Sequence, residues 1–480
     1  MINEVQAKIK HVCSQVLFKI SPTAEEQKKV LALAKELEQK VALSAMKRGV
    51  EAVIRVEGSV AKDTWLKEEP DIDVFMCLPT TIPRKKLGNI SLEIGREATE
   101  GWRQVERFAE HPYLEAFVEG FRVNIVPCYC TRRGDWLSAT DRTPFHTDYV
   151  NKRLNQNLRC EIRLLKRFLQ GIHVYGAEIK VGGFSGYLCE LLVIHFGSFV
   201  ETLRAFAKYA ARRVIDIENY YSGREKDLNL LFDEPLLVID PVDKSRNVAS
   251  AVKPQKIYTL VAAARAFLRK PSESFFFPPK IKALTAKEFK RRIKERGSDC
   301  LFLTFRKLDA VSDILWGQLY KTQRSLRKLL ELNDFMVLRD AVWSDEKSLS
   351  AFVFELEQRT IPNARQHFGP PLEREEECGN FLAKYLDNGC VMSGPFIEDG
   401  RWVVEVTRKH TDAVEFLQAK LKEGGRNIGV ADLISEAFKD GFSLSVNGDV
   451  SEVYRGNNAF AEFLTDFLDG KPFWLKPEET

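Results

Sequence analysis

The sequence predicts an α+β chain in three parts: a mixed head over residues 1–150, a mainly helical middle over 151–268, and a mixed body and tail over 269–480. Apolar spacing in the head alternates between the helical period and the two-residue period of strands. From 151 to about 268 it stays mainly helical, and after the proline-flanked segment 271–279 the two periods mix again. The length agrees, since 480 residues at about 150 per domain suggest three parts.

In chain order, Thr23 followed by Glu26 makes a capping box, and Val30, Leu33, Leu37 and Val41 continue at helical spacing, so 23–48 reads as a helix stopped by Gly49. Residues 52–56 read as a strand that turns out through Glu57-Gly58-Ser59. A second strand, 72–78, is bounded by Pro70 and Pro79, and a third, 121–126, is closed by Pro127. In the middle, 151–170 holds six basic residues against one acid, and 188–209 is apolar enough to be one buried helix. The segment 271–279, with its phenylalanines and flanking prolines, reads as a boundary or an ordered linker. Beyond it, strands at 300–305, 335–342, 349–355 and 402–406 alternate with helices at about 311–333, 374–387 and 411–422, which suggests a small helix-backed sheet.

Composition excludes wholesale disorder, because 44% of residues are hydrophobic and 11% aromatic. The net charge of +4, from 72 basic and 68 acidic residues, decides nothing about a polyanionic partner. Nine cysteines without a CxxC pair suit reduced thiols packed as small hydrophobes. Cys128 and Cys130, spaced CxC, fit a strand that presents both on one face. The polar N-terminus is no signal peptide, and the apolar run 188–200, broken by Glu190 and His195, is too short to span a bilayer. A cytoplasmic protein with no membrane partner is expected.

The chemistry concentrates in Gly58-Ser59, followed twelve residues later by Asp71-Ile-Asp73. Alternate strand residues share a face, so Asp71 and Asp73 present two carboxylates side by side. Such a pair repels itself unless a cation lies between, and oxygen ligands of this kind suit Mg²⁺ bound together with substrate phosphates. The Gly58-Ser59 turn offers backbone N–H groups and a hydroxyl to those phosphates.

This pattern resembles the DNA polymerase β-type nucleotidyltransferase superfamily. Within it, the chain resembles the archaeal (class I) CCA-adding enzymes, which build the 3′ end of tRNA. The narrower likeness rests on Val123-Asn-Ile-Val-Pro-Cys-Tyr129, Asp141-Arg-Thr-Pro-Phe-His146, Glu161-Ile-Arg-Leu-Leu-Lys166, Tyr175-Gly-Ala-Glu178, Gly183-Phe-Ser-Gly-Tyr-Leu-Cys-Glu-Leu-Leu192 and Asp240-Pro-Val-Asp-Lys-Ser-Arg-Asn-Val-Ala249. It implies a polymerase β-like head, a middle that completes the nucleotide and primer site, and a tRNA-binding tail. It also implies Asp71 and Asp73 as ligands of a two-metal Mg²⁺ site, and Ser59, Lys62, His146, Lys166 and Tyr175 as contacts of the incoming CTP or ATP. Arg246 and Asn247 match the region that selects C or A. The implied reaction is template-independent: the tRNA 3′-hydroxyl attacks the α-phosphate of CTP twice, then of ATP, and pyrophosphate leaves each time.

One position departs from the family. Its third catalytic and metal-binding carboxylate falls on Asn124, which lends a carbonyl oxygen but no charge, so metal affinity and nucleophile activation should both weaken. Glu119, the nearest acid upstream, precedes Gly120 and is a poor substitute. For the acceptor arm of tRNA, the basic stretch 151–170, Arg212 and Arg213 with Arg204 and Lys208, and Arg291 and Arg292 are the candidate phosphate contacts. Poly(A) polymerases and oligoadenylate synthase-like enzymes would share the carboxylate pair, and Asn124 leaves a catalytically impaired tRNA-binding homologue open, as the sequence leaves a homodimer open.

Overall fold

The computed structural model describes residues 2–68, 70–108, 110–306 and 308–476. It divides into two compact units, Met1–Pro279 with Pro472–Thr480, and Lys280–Lys471.

The first unit opens with α1 (Ile2–Ile20) and α2 (Ala24–Lys47), and α2 begins on the Thr23–Glu26 capping box. Then follow β1 (Val53–Glu57), the short α3 (Gly58–Ala61), β2 (Asp71–Leu78), α4 (Arg84–Ala98), β3 (Arg103–Phe108), β4 (Pro112–Val118) and β5 (Phe121–Tyr129). The five strands form one sheet in the order β1-β2-β5-β4-β3. Only β2 and β5 run parallel within it. Ile72, Val74 and Met76 point from β2 into a core with Leu33 and Leu37 of α2 and Leu87 and Ile94 of α4. The alternate residues Asp71 and Asp73 therefore lie on the opposite face.

The strand β5 runs past Pro127, where the sequence suggested an end. Its pairing with β4 has already stopped at Ile125, so the proline sits where only β2 remains as neighbour. Gly58 and Ser59 open a four-residue helix where the sequence suggested a plain turn.

The same unit continues with a 3₁₀ turn (Ala139–Arg142), α5 (Thr143–Asn151), α6 (Gln156–Gly171), α7 (Gly186–Phe196), α8 (Phe199–Ala207), β6 (Arg213–Ile215), α9 (Glu225–Leu231), β7 (Leu236–Val238) and α10 (Pro254–Arg269). The single helix expected over 188–209 is two. Gly197 adopts a left-handed φ of +85° as the cap of α7, Ser198 caps α8, and the axes turn by 90°. Among the described residues no single helix is long and apolar enough to cross a membrane. Ile9, Val12 and Val16 of α1 pack with Phe168, Phe267 and Phe276 in the helical core, so α1 belongs by packing to the middle. Phe275 and Phe276 of the segment 271–279 are buried there, which makes that segment an anchor just before the break between units.

The second unit comprises α11 (Ala286–Arg296), β8 (Asp299–Arg306), α12 (Ser312–Leu332), β9 (Val337–Ser344), β10 (Leu349–Leu356), β11 (Ala364–Pro371), α13 (Glu375–Tyr385), β12 (Val391–Glu398), β13 (Arg401–Thr407), α14 (Ala413–Leu421), α15 (Asp432–Asp440), β14 (Phe442–Val446), α16 (Ser451–Gly456) and α17 (Asn458–Asp469). Its antiparallel sheet β14-β8-β10-β9 is covered on both faces. Leu303 and Phe352 face α12, α14 and α15, whereas Phe302 and Val353 face α11 and α17. Double cover explains why Ala351–Phe354 of β10 is apolar at every position. A second sheet, β11-β13-β12, packs its Val404 on Phe381 and Tyr385 of α13.

Candidate active site

Strand pairing sets the first part of the site. Asp71 stands opposite Arg122 and Asp73 opposite Asn124 across β2 and β5. Glu57 of β1 is opposite Asp73, and Glu115 of β4 is opposite Asn124. One row across four strands thus reads Glu57, Asp73, Asn124, Glu115. Asn124 Nδ2 donates to Asp73 Oδ1 at 2.9 Å. Arg122 Nε donates to Asp71 Oδ1 at 2.8 Å, and Arg122 Nη2 pairs with Oδ2. Burial, reinforced by the Asp71 charge, pushes Asp73 up to about 6, against the Asn124 amide, Lys62 and Arg122. Gly58 has φ +72° and lies against Asp73, where any Cβ would collide with Oδ2.

The flanking acids carry their own partners. Arg55 Nε lies 2.7 Å from Glu57 Oε1 and its Nη2 bonds Asp148 Oδ1 at 2.6 Å. Arg107 Nη2 donates to Glu115 Oε1 at 2.7 Å. Asp71, Asp73 and Asn124 offer oxygen ligands only, beside a glycine whose missing Cβ leaves room for Asp73 Oδ2; here Asp71 is paired with Arg122, and Asn124 turns its amide hydrogen to Asp73. That set fits a hard divalent cation, with one charge fewer than three carboxylates would supply.

The second part is a buried cluster around Glu190. Lys62 Nζ donates to Glu190 Oε2 at 2.5 Å, Thr64 Oγ1 to Oε1 at 2.7 Å, and Lys166 Nζ to Oε1 at 3.3 Å. Lys166 also donates to Thr64 Oγ1 at 2.9 Å and to Thr64 O at 3.1 Å. Burial lowers Lys166, and Lys62 adds to this against the pull of Glu190. Burial alone would raise Glu190, but the two ammonium groups hold it below its usual range. Two cations on one carboxylate leave an uncompensated positive charge, a setting that favours an anion. A Cβ at Gly186 would lie 3.1 Å from the Tyr175 hydroxyl and 3.6 Å from Lys166 Nζ, so both groups converge on the first turn of α7.

The third part is built on Asp240, which is fully buried. It accepts from His146 Nε2 at 2.9 Å, Arg246 Nη1 at 2.7 Å, Tyr187 Oη at 3.1 Å and Val242 N at 2.9 Å. Burial would raise Asp240, but the His146 bond and charge, Val242 N–H and Arg246 hold it down at about 2. Burial lowers His146, against the pull of Asp240. The His146 ring stacks on Tyr187 at 4.1 Å. Arg142 Nε joins Asp243 Oδ2 at 2.8 Å, which ties the segment of His146 to the segment of Arg246.

Several sequence candidates take other places. The Asn247 amide is used by backbone, accepting from Val238 N and Ala249 N and donating to Leu236 O. Ser59 lies in the first turn of α3, and its carbonyl accepts from Thr64 N at 2.9 Å. Arg212 Nη2 donates to Phe232 O at 2.7 Å beyond the end of α9, and Arg213 Nη2 to Ala205 O at 2.9 Å near the end of α8. The basic stretch 151–170 turns partly inward. Arg163 is buried and donates to Trp65 O and Asp63 O, holding the loop after Lys62. Arg291 and Arg292 are exposed on α11, with Arg291 Nη1 2.6 Å from Glu295 Oε1.

Glu190, Thr64, Tyr187 and Asp240 were not singled out from sequence. An acid inside an apolar run, and the leading acid of Asp240-Pro-Val-Asp243, were the available signals.

Known proteins match these same segments. Residues 160–277 match the family model described as tRNA nucleotidyltransferase, second domain, and 296–447 match CCA-adding enzyme, C-terminal domain. A CCA-adding enzyme of Methanosarcina barkeri is 37% identical over 438 residues, covering 91% of this chain and 93% of its own length. That of Methanosarcina acetivorans is 37% identical, covering 88% and 92%. That of Methanothermobacter thermautotrophicus is 34% identical, covering 95% and 97%. With identity at this level running nearly end to end, through the carboxylate strands, the helical middle and the tail alike, the chain belongs to the CCA-adding enzyme family.

Proposed function

We infer that this chain adds C, C and A, without a template, to the 3′ end of tRNA, using CTP and ATP. The observation that carries this reading is the likeness to CCA-adding enzymes over 91% of the chain. The tRNA 3′-oxygen forms a bond to the α-phosphorus, the bond to the β-phosphate oxygen breaks, and pyrophosphate leaves; the hydroxyl proton passes to solvent.

Asp71 and Asp73, with the Asn124 amide oxygen, would hold the divalent cation, for which Mg²⁺ is the expected ion. Such an ion, when bound, lowers the pKa of the attacking hydroxyl and offsets charge on the leaving pyrophosphate. Lys62, Lys166, Tyr175 and the Ser59 hydroxyl meet the triphosphate, drawn by the excess positive charge around Glu190. His146, held by Asp240, keeps its Nδ1 edge for the nucleotide, and Arg246, anchored on the same carboxylate, reaches the base beside the RNA end. These groups are fixed before the nucleotide arrives, so positioning supplies much of the rate. Arg291 and Arg292 are the tail's contacts to the acceptor arm.

The decisive experiment supplies tRNA lacking its 3′ CCA with CTP and ATP together and sequences the products. C-C-A ends are expected, and homopolymeric A would instead make the chain a poly(A) polymerase. Asn124 favours a second reading, a tRNA-binding homologue with impaired catalysis. Tight tRNA binding with no incorporation in Mg²⁺ or Mn²⁺ would establish that one.

A further inference from the structure

Three thiols stand together further along the strand pair that carries Asp73 and Asn124. Cys77 of β2 and Cys128 of β5 are in register, and both are buried. Cys128 Sγ donates to Cys77 Sγ at 3.0 Å. Cys130 follows directly on β5, fixed by its backbone N–H on Leu78 O at 2.8 Å, and its side chain is exposed. Cys77 and Cys130 both line a cavity of about 720 Å³ whose wall also includes Ala45, Met46, Val53 and Pro79. These two residues border the cavity, whereas Cys128 is not part of its wall and is fully buried.

Cys77 and Cys128 divide the chemistry, while burial raises the Cys130 thiol. The hydrogen bond from Cys128 lowers the Cys77 thiol and outweighs burial. The same bond, together with burial, pushes Cys128 up. A thiolate is the nucleophile in disulfide exchange, and a second, accessible thiol resolves the mixed disulfide. None of the three groups has a part in nucleotide addition as described above, and intracellular disulfides, where present, are usually redox-sensing or catalytic.

We propose that Cys77 and Cys130 form a thiol–disulfide exchange site that takes a low-molecular-weight disulfide from the cavity, with Cys128 as the donor that activates Cys77. The Cys77 thiolate attacks one sulfur of the small disulfide, forming a mixed disulfide and releasing one small thiolate. Cys130 loses its proton to solvent and attacks the Cys77 sulfur, which forms the Cys77–Cys130 bond and expels the second small thiolate. Two protein thiols are oxidised and one small disulfide is reduced to two thiols. Cys128 keeps its proton throughout, and Cys130, being exposed, is the resolving group.

The test treats the full-length chain with oxidised glutathione, blocks the remaining thiols with an alkylating reagent and maps the peptides by mass spectrometry. A Cys77–Cys130 linked peptide is expected, reversed by dithiothreitol. With Cys130→Ser the product should stop at glutathione on Cys77, and Cys128→Ala should slow the linkage by about tenfold, through loss of the donor that activates the thiolate. The proposal is overturned if both thiols of the unmutated chain stay fully alkylatable, or if glutathione is found on Cys130 alone with Cys77 free. Because the readout on the unmutated chain decides the matter, a variant that fails to fold does not.

Discussion

Asn124 sits directly opposite Asp73 and donates an amide hydrogen to it, where a carboxylate would repel it. The substitution quiets the buried acid when no cation is present, and it gives up a charge when one is. Asn124→Asp should therefore raise Mn²⁺ affinity, read by electron paramagnetic resonance, by on the order of tenfold, with nucleotide addition rising alongside. Unchanged affinity would show that Asn124 is no ligand position. Asp240 behaves differently, because His146, Arg246, Tyr187 and Val242 N–H all favour its ionised form. Its folded pKa of about 2 lies below the ordinary 3.8, so its stabilisation is present above pH 3.8 and fades as pH falls toward 2. Asp240→Asn should cost about 2 kcal/mol at pH 7 and roughly half that near pH 3, measured as the difference in unfolding free energy from the unmutated chain. The Michaelis constant for CTP should rise with it at neutral pH, since His146 and Arg246 lose their common anchor; a constant difference across the pH range would mean Asp240 does not titrate as described.

Elements differed in how openly the sequence showed them. The helix α2, with its capping box and period, and the strand β2, between two prolines, were legible because local chemistry alone defines them. The carboxylate pair was legible for the same reason, since strand alternation needs only two positions. The break between α7 and α8 was not, because an unbroken apolar run hides a turn made by Gly197 and Ser198. Nor was the role of α6: its basic stretch points to RNA phosphates, yet Arg163 and Lys166 are buried against carbonyls of the loop 63–65 and against Glu190. Those partners lie far away in sequence, at Glu190 and across the loop, so no local pattern announces them. The same distance hid Glu57 and Glu115, which enter the Asp73 row only through strand pairing.

At the scale of the whole molecule the net charge of +4 conceals how its cations are used. Lys62 and Lys166 turn inward to Glu190, Arg163 to the carbonyls of the loop after Lys62, and Arg212 and Arg213 to backbone carbonyls, so a good part of the basic count is not offered to an RNA backbone. The helix α11 of the second unit is different, since Arg291 and Arg292 project from an exposed face and Arg291 pairs with the i,i+4 acid Glu295. A surface pair of that kind is worth little and yields readily to a phosphate. If α11 follows the RNA backbone, Arg291→Glu with Arg292→Glu should weaken tRNA binding and lower the slope of log affinity against log salt by roughly two, because each phosphate contact releases about one counterion. CTP binding, if it rests on Lys62, Lys166 and His146 of the first unit, should be unchanged. Loss of affinity with an unaltered salt slope would place the RNA elsewhere on the second unit and leave α11 a solvated helix.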